Sequence, residues 1–159
     1  MTQLTVISVG TLKEDYLTAA VREYEKRLTA FCRVESITLR EERIRDEADA
    51  ASVRAALDTE GERILSAVPR DAYTVALCVE GKMLSSPDLA ARLGSAIDRG
   101  GKLCFIIGSS HGLSPRVKAA ADERISFSPM TFPHQLMRVL LLEAVYRSFT
   151  ILHGRPYHK

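Results

Sequence analysis

Hydrophobic and polar positions along the 159-residue chain change their period several times, and each change marks an element. Leu4-Thr5-Val6-Ile7-Ser8-Val9 is a β-branched run closed by Gly10, a strand and turn signal. From Tyr16 to Phe31 the residues Tyr16, Leu17, Ala20, Val21, Tyr24 and Leu28 recur at helical spacing with charges between them, which predicts a helix. Val34 to Leu39 reads as a second strand. The charged stretch after it, ending in Glu60-Gly61-Glu62-Arg63-Ile64-Leu65, reads as a loop and then a solvated helix. Tyr73 to Val79 and Leu103 to Ile107 are apolar almost throughout, the pattern of strands buried on both faces. Between them Ser86-Pro87-Asp88 opens a helix running to about Arg99, with Ser86 as cap and proline in the first turn. A short helical pattern near Pro115 to Ala121, a short strand Arg124 to Ser128 and a long helix from about Pro133 to Thr150 complete the chain.

Strands that alternate with helices predict an α/β fold, a mostly parallel sheet with helices on both faces. No repeat, low-complexity tract or linker interrupts it, so residues 1–159 read as one domain. Hydrophobic residues at 46% and charged residues at 26% exclude a disordered tail or a disulfide mini-protein. No apolar run approaches the roughly 20 residues of a membrane helix. Met1 to Val6 reads as the start of a strand, without the regions of a signal peptide, so a cytoplasmic protein with no membrane partner is expected. Cys32, Cys78 and Cys104 form no CxxC pair and read as small hydrophobic filler.

Net charge is only +2, but its distribution is uneven. Between Arg40 and Arg63 eight acids face five bases, whereas from Pro133 to Lys159 four cations (Arg138, Arg147, Arg155, Lys159) face Glu143 alone. Such a chain can present one cationic face to an anionic partner.

In open α/β sheets ligands bind beyond the carboxyl ends of the strands. Three loops there carry unusual residues: Glu80 to Ser86, Gly108 to Pro115, and Ser128 to His134. The second offers glycines and serines near a helix start, as a phosphate cradle would. It is neither a P-loop nor a dinucleotide fingerprint, and taken alone it reads better as a tight turn. In the third loop Pro129 and Pro133 bracket Met130, Thr131 and Phe132, leaving a stiff backbone short of donors that suits an apolar ligand. His111, His134, His153 and His158 could each serve as a base, and their spacing supports no metal site.

At these loops and the last helix the sequence resembles the RlmH family, SPOUT-class methyltransferases that methylate N3 of a pseudouridine in large-subunit (23S) ribosomal RNA. The resemblance is carried by Val6 to Lys13, Tyr24-Glu25-Lys26-Arg27-Leu28, Gly81 to Ser86, Phe105-Ile106-Ile107-Gly108 with Gly112-Leu113-Ser114, and Phe127 to His134. Arg138-Val139-Leu140, Glu143, Val145-Tyr146-Arg147 and Pro156-Tyr157-His158-Lys159 carry it to the end of the chain. It implies a deep trefoil knot in the C-terminal part, roughly residues 100–159, an exception to the unknotted rule. It also implies a homodimer and S-adenosylmethionine (SAM) as methyl donor. Cofactor contacts are implied at Leu77, Gly108, Phe127, Ser128, Pro129, Met130, Thr131 and Phe132. Two positions depart from the family pattern: Ser109 stands where a second glycine is usual, and Ala144 where glutamine is common.

N3 of pseudouridine carries a proton that must leave, so the reaction wants a base, or a cation to stabilise the developing anion. His158 comes first, with Tyr157 and Arg138 as the other catalytic candidates. Arg147, His153, Arg155 and Lys159 are the candidate RNA contacts, with Lys13 a possible addition. A chain this small has no separate RNA-binding module, so a structured RNA or assembled ribosome is the expected partner. A SPOUT enzyme with another RNA target, or a knotted RNA-binding protein without chemistry, are the alternatives, Ser109 being the feature that favours the latter.

Overall fold

The computed structural model describes residues 1–159. Along them run β1 (Thr2–Val9), α1 (Asp15–Leu28), β2 (Cys32–Leu39), α2 (Ala50–Ala67), β3 (Tyr73–Met83), α3 (Ser86–Gly100), β4 (Lys102–Ile107), α4 (Pro115–Ala120), β5 (Glu123–Ser126) and α5 (His134–Leu152). The strands form one five-stranded sheet in the order β2-β1-β4-β3-β5, every neighbouring pair parallel.

Side-chain alternation in the strands assigns the helices to faces. Leu4 and Val6 of β1, Val75 of β3, and Leu103, Phe105 and Ile107 of β4 meet α1, α3 and α5 through Leu28, Leu93, Leu142 and Phe149. Ile7, Val9, Ala76, Cys104 and Ile106 face the opposite way, under Ile64 of α2 and Val117 of α4. Covering both faces is what buries β1 from Leu4 to Val9 and β4 from Leu103 to Ile107 on both sides. The α/β architecture with helices on both faces is therefore as expected.

Several local expectations are corrected. The helix α2 is not merely solvated: Ala56, Glu60, Gly61 and Ile64 are buried on it, because it shares with α4 the covering of one face of the sheet. Asp49 caps it, accepting from the amides of Ala51 and Ser52. The cap of α3 is Ser85, one residue before the expected Ser86, its hydroxyl accepting from Asp88 N at 3.2 Å. The last strand is shorter than expected, ending at Ser126.

The largest correction concerns β3. Only its first half is buried, and Val79 is 55% exposed, since β4 pairs with it no further than Ala76. Ile125 of β5 pairs first with Leu77 and again with Lys82, so residues 78–81 bulge out of register. The bulge closes on Gly81, where a Cβ would lie 2.6 Å from the Ile125 carbonyl carbon and 2.7 Å from its nitrogen. Only glycine allows that approach.

Candidate functional site

The sheet order places the carboxyl ends of β4, β3 and β5 side by side, and a cavity of about 330 Å³ opens there. That size falls within the range of small-molecule and cofactor sites. Its walls are residues 77–80 of the β3 bulge, residues 107–113 after β4, residues 125–128 and 130–132 after β5, and Lys118, His134 and Met137. Every cofactor position expected from the sequence lines it except Pro129. A larger groove of about 560 Å³ beside α3 holds Arg92 paired with Glu123 and Arg99 over the Tyr73 ring.

The floor is backbone. At Gly108 an added Cβ would collide with the Gly112 carbonyl and lie 2.9 Å from Leu113 Cδ2. The chain doubles back because Gly112 takes φ +89° and donates its amide to the Ser109 carbonyl at 2.9 Å. Ser114 then caps α4 by accepting from Val117 N, with Pro115 in its first turn. Ser109, the first departure from the family pattern, keeps a negative φ and is buried. Its hydroxyl donates to Glu60 of α2 at 2.9 Å, and Glu60 does not line the cavity.

The walls are more apolar. Leu77, Ile107, Leu113, Phe127 and Met137 contribute, while Met130 (71% exposed) and Phe132 stand at the rim. The proline-bracketed loop is stiffened further by Met130 N donating to Ser128 Oγ at 3.0 Å. Glu80 and Lys118 pair across one wall, and that lysine holds the Glu80 carboxyl below its ordinary value. Cys78 is half-buried and lines the cavity rather than filling the core, and burial pushes its thiol up, with Glu80 adding to the effect. Cys32 and Cys104 are buried as expected, their thiols pushed up to about 12 by desolvation.

Of the four isolated histidines, His134 and His111 line the cavity. His134 opens α5, stands against Gly10 and Glu41, and is held below its ordinary value chiefly by burial. Arg138, one turn further along α5, does not line the cavity. It is 7% exposed, donates through Nη2 to the Gly10 carbonyl, and leaves Nε without a partner. No carboxylate pairs with it, and burial lowers its affinity for its proton. Lys13 N donates to Gln135 Oε1 at 3.0 Å, tying the chain after β1 to the same helix start.

The tail forms a second group. Tyr157 donates to Glu143 Oε1 at 3.1 Å, and Arg147 grips the same carboxylate at 2.5 Å. His158 Nδ1 stands 3.4 Å from Arg147 Nη1. Arg147 lies over the Tyr157 ring at 4.7 Å, and Arg155 over the Phe31 ring at 4.6 Å. His153 and Lys159 are exposed, the former with its Nδ1 2.9 Å from the Phe149 carbonyl. Ala144, the other departure, packs against the core. In the single chain neither Tyr157 nor His158 lines the cavity, so the structure brings the cofactor positions together but leaves these two apart from them.

A parallel α/β sheet with a glycine-floored cavity at three adjacent strand ends defines the class of proteins that bind a small ligand there. The family model described as "Predicted SPOUT methyltransferase" matches residues 2–158, and the chain belongs to that family. It is 46% identical over 157 residues to the ribosomal RNA large subunit methyltransferase H of Bacillus pumilus, covering 98% of this chain and 99% of that one. Proteins of the same name from Streptococcus thermophilus and Clostridioides difficile are 48% identical over 158 residues and 43% over 157, with 98–99% of each chain covered. No helix is long and apolar enough to cross a membrane.

Proposed function

We propose that this protein methylates N3 of a pseudouridine in large-subunit (23S) ribosomal RNA, using SAM, on the assembled ribosome. It acts as a cytoplasmic homodimer of single-domain chains, each knotted over roughly residues 100–159. The observation that carries this reading is the cavity itself, where the expected cofactor positions other than Pro129 converge on a floor that admits no side chain at Gly108. Full-length kinship with proteins named for ribosomal RNA methylation supports the substrate class.

The residues suit SAM. An apolar wall of Leu77, Ile107, Leu113 and Phe127 fits an adenine, and the loops 108–112 and 130–132 that line the rest offer backbone groups to its polar edges. When bound, SAM supplies a methyl on a sulfonium, already a strong electrophile, so the protein's work is position and electrostatics. The loop 127–133 forms one edge of the site, with Phe132 and Met130 at its rim. Arg138, a buried cation beside His134 without a carboxylate partner, biases the site toward negative charge on the base being methylated. His158 receives the N3 proton, and Tyr157 holds it in place through Glu143.

Because the tail stays clear of its own cavity, the tail of one copy serves the cavity of the other. Arg147, Arg155 and Lys159 meet RNA phosphates, and the exposed His153, its ring bonded to the Phe149 carbonyl, flanks them. Ser109 gives no support to a non-catalytic reading, since its hydroxyl is engaged by Glu60.

Mixing tests the whole arrangement. Gly108→Ala removes the cavity and His158→Ala removes the base, so each alone is inactive on ribosomes. Co-folded together they regain about a quarter of wild-type turnover through mixed dimers with one intact composite site. Failure of wild-type protein to bind SAM or to methylate ribosomes would overturn the assignment.

A further inference from the structure

We infer that Glu60 is a positioning residue for the cofactor cavity, acting through Ser109 as a latch on the floor loop. The inference rests on the reading of that cavity as the SAM site.

The floor loop, residues 108–112, has little else to hold it. Its turn is closed by one backbone bond, Gly112 N to Ser109 O, and Gly112 sits in a φ region that only glycine enters readily. Ser110 and His111 are exposed. The Ser109 hydroxyl is the side-chain anchor, and it ends on a carboxylate that is 3% exposed. A hydrogen bond to a buried charged acceptor is stronger and more directional than one between neutral groups.

Glu60 is itself held from the other side. Its second oxygen accepts from Glu42 N at 2.8 Å, so both oxygens are committed. Glu42 pairs with Arg63 at 2.6 Å, and Arg63 also donates to the Arg40 carbonyl at 3.0 Å. Beside Glu60, Gly61 presses against Ser114, where a Cβ would lie 3.3 Å from Ser114 Cβ and closer still to its hydroxyl. The helix α2 is thus seated directly behind the floor loop, and Glu60 connects the two. A glycine at position 109 could not be latched in this way. The serine that departs from the family pattern supplies the hydroxyl on which the latch depends.

The test compares Ser109→Ala, Glu60→Gln and the double variant with wild type. SAM affinity is measured by calorimetry, Gly112 amide exchange is measured in the ligand-free protein, and a melting curve is recorded for each. Ser109→Ala is expected to weaken SAM binding about threefold to tenfold, the loss of one hydrogen bond, and to speed Gly112 exchange, with the melting temperature nearly kept. In Glu60→Gln the one remaining acceptor oxygen serves the Glu42 amide and the Ser109 hydroxyl loses its carboxylate. SAM binding is therefore expected to weaken and Gly112 exchange to speed up as in Ser109→Ala, and the double variant to bind no worse than either alone. Unchanged Gly112 exchange, additive losses of affinity, or tighter binding by Ser109→Ala would overturn the inference. Absence of SAM binding by wild type would instead reject the cofactor reading, while the exchange rates would still decide whether the latch exists.

Discussion

Tyr157 and Glu143, fourteen positions apart, meet through a 3.1 Å hydrogen bond that fastens the tail to the outside of α5. Arg147 completes the arrangement, bound to the Glu143 carboxylate and lying over the Tyr157 ring. Burial and the Glu143 hydrogen bond push the phenol above its ordinary value, so Tyr157 stays protonated and donating at neutral pH. Tyr157→Phe deletes only that donor and is expected to lower kcat on ribosomes severalfold, leaving SAM affinity as in wild type. Tyr157→Ala also removes the edge-on contact with Tyr146, whose centroid lies 4.9 Å away, and is expected to lose turnover more than tenfold. Equal turnover by Tyr157→Ala and wild type would remove the tail from the mechanism.

The two floor glycines should fail differently. Gly108→Ala forces a Cβ into the Gly112 backbone and is expected to destabilise the fold by about 1–3 kcal/mol and abolish SAM binding. Gly112→Ala meets open space but keeps a positive φ, and should cost about 1–2 kcal/mol of backbone strain while binding is only weakened. Melting curves with and without SAM separate the two cases. SAM binding by Gly108→Ala at wild-type strength would mean that the ligand does not rest on this floor.

His134 gives a pH dependence with a definite sign. Burial lowers its affinity for a proton, Arg138 and Lys13 push the same way, and Glu41 and Glu60 oppose them. The unfolded chain therefore takes up the proton first as the pH falls. Stability from this site is complete above the ordinary histidine value of about 6.5 and is lost as the pH drops through the lower folded value. Wild type should lose more melting temperature between about pH 7 and about pH 5 than His134→Gln does. Parallel curves for the two proteins would show that His134 is not the group responsible.

The cationic tail should be visible in the salt dependence of RNA binding. Arg155 and Lys159 are exposed, and the slope of log K against log salt falls by about 0.7–0.9 for each phosphate that is no longer neutralised. Arg155→Ala and Lys159→Ala should each flatten that slope by this amount, and the double variant by the sum. His153→Ala should leave the slope unchanged, since its ring is turned to the Phe149 carbonyl and packs against Phe31 at 5.0 Å. A flattened slope for His153→Ala would place that side chain on the RNA after all.

Much of this molecule was legible from residue order alone. The β-branched run at β1, the continuous apolar run at β4, helical spacing in α1 and the glycine and proline punctuation after β4 and β5 are local signals, because strand burial and turn geometry depend on near neighbours. They predict a parallel α/β sheet with ligand loops at the strand ends, and the resemblance to a known family adds the cofactor positions that line the cavity.

Position along the chain says little about what stands behind those loops. Glu60 lies in a segment whose acids look solvated, yet α2 turns it inward to meet Ser109, forty-nine residues away. Cys78 sits in an apolar run, yet the bulge against Ile125 brings it to the cavity wall. Arg138 looks like one more cation of a basic tail, yet it is buried against the Gly10 carbonyl. Local pattern records which residues prefer to leave water. Which of the polar ones are buried as well, and against which partner, is set by contacts between segments far apart in the chain, and those contacts exist only once the sheet has closed.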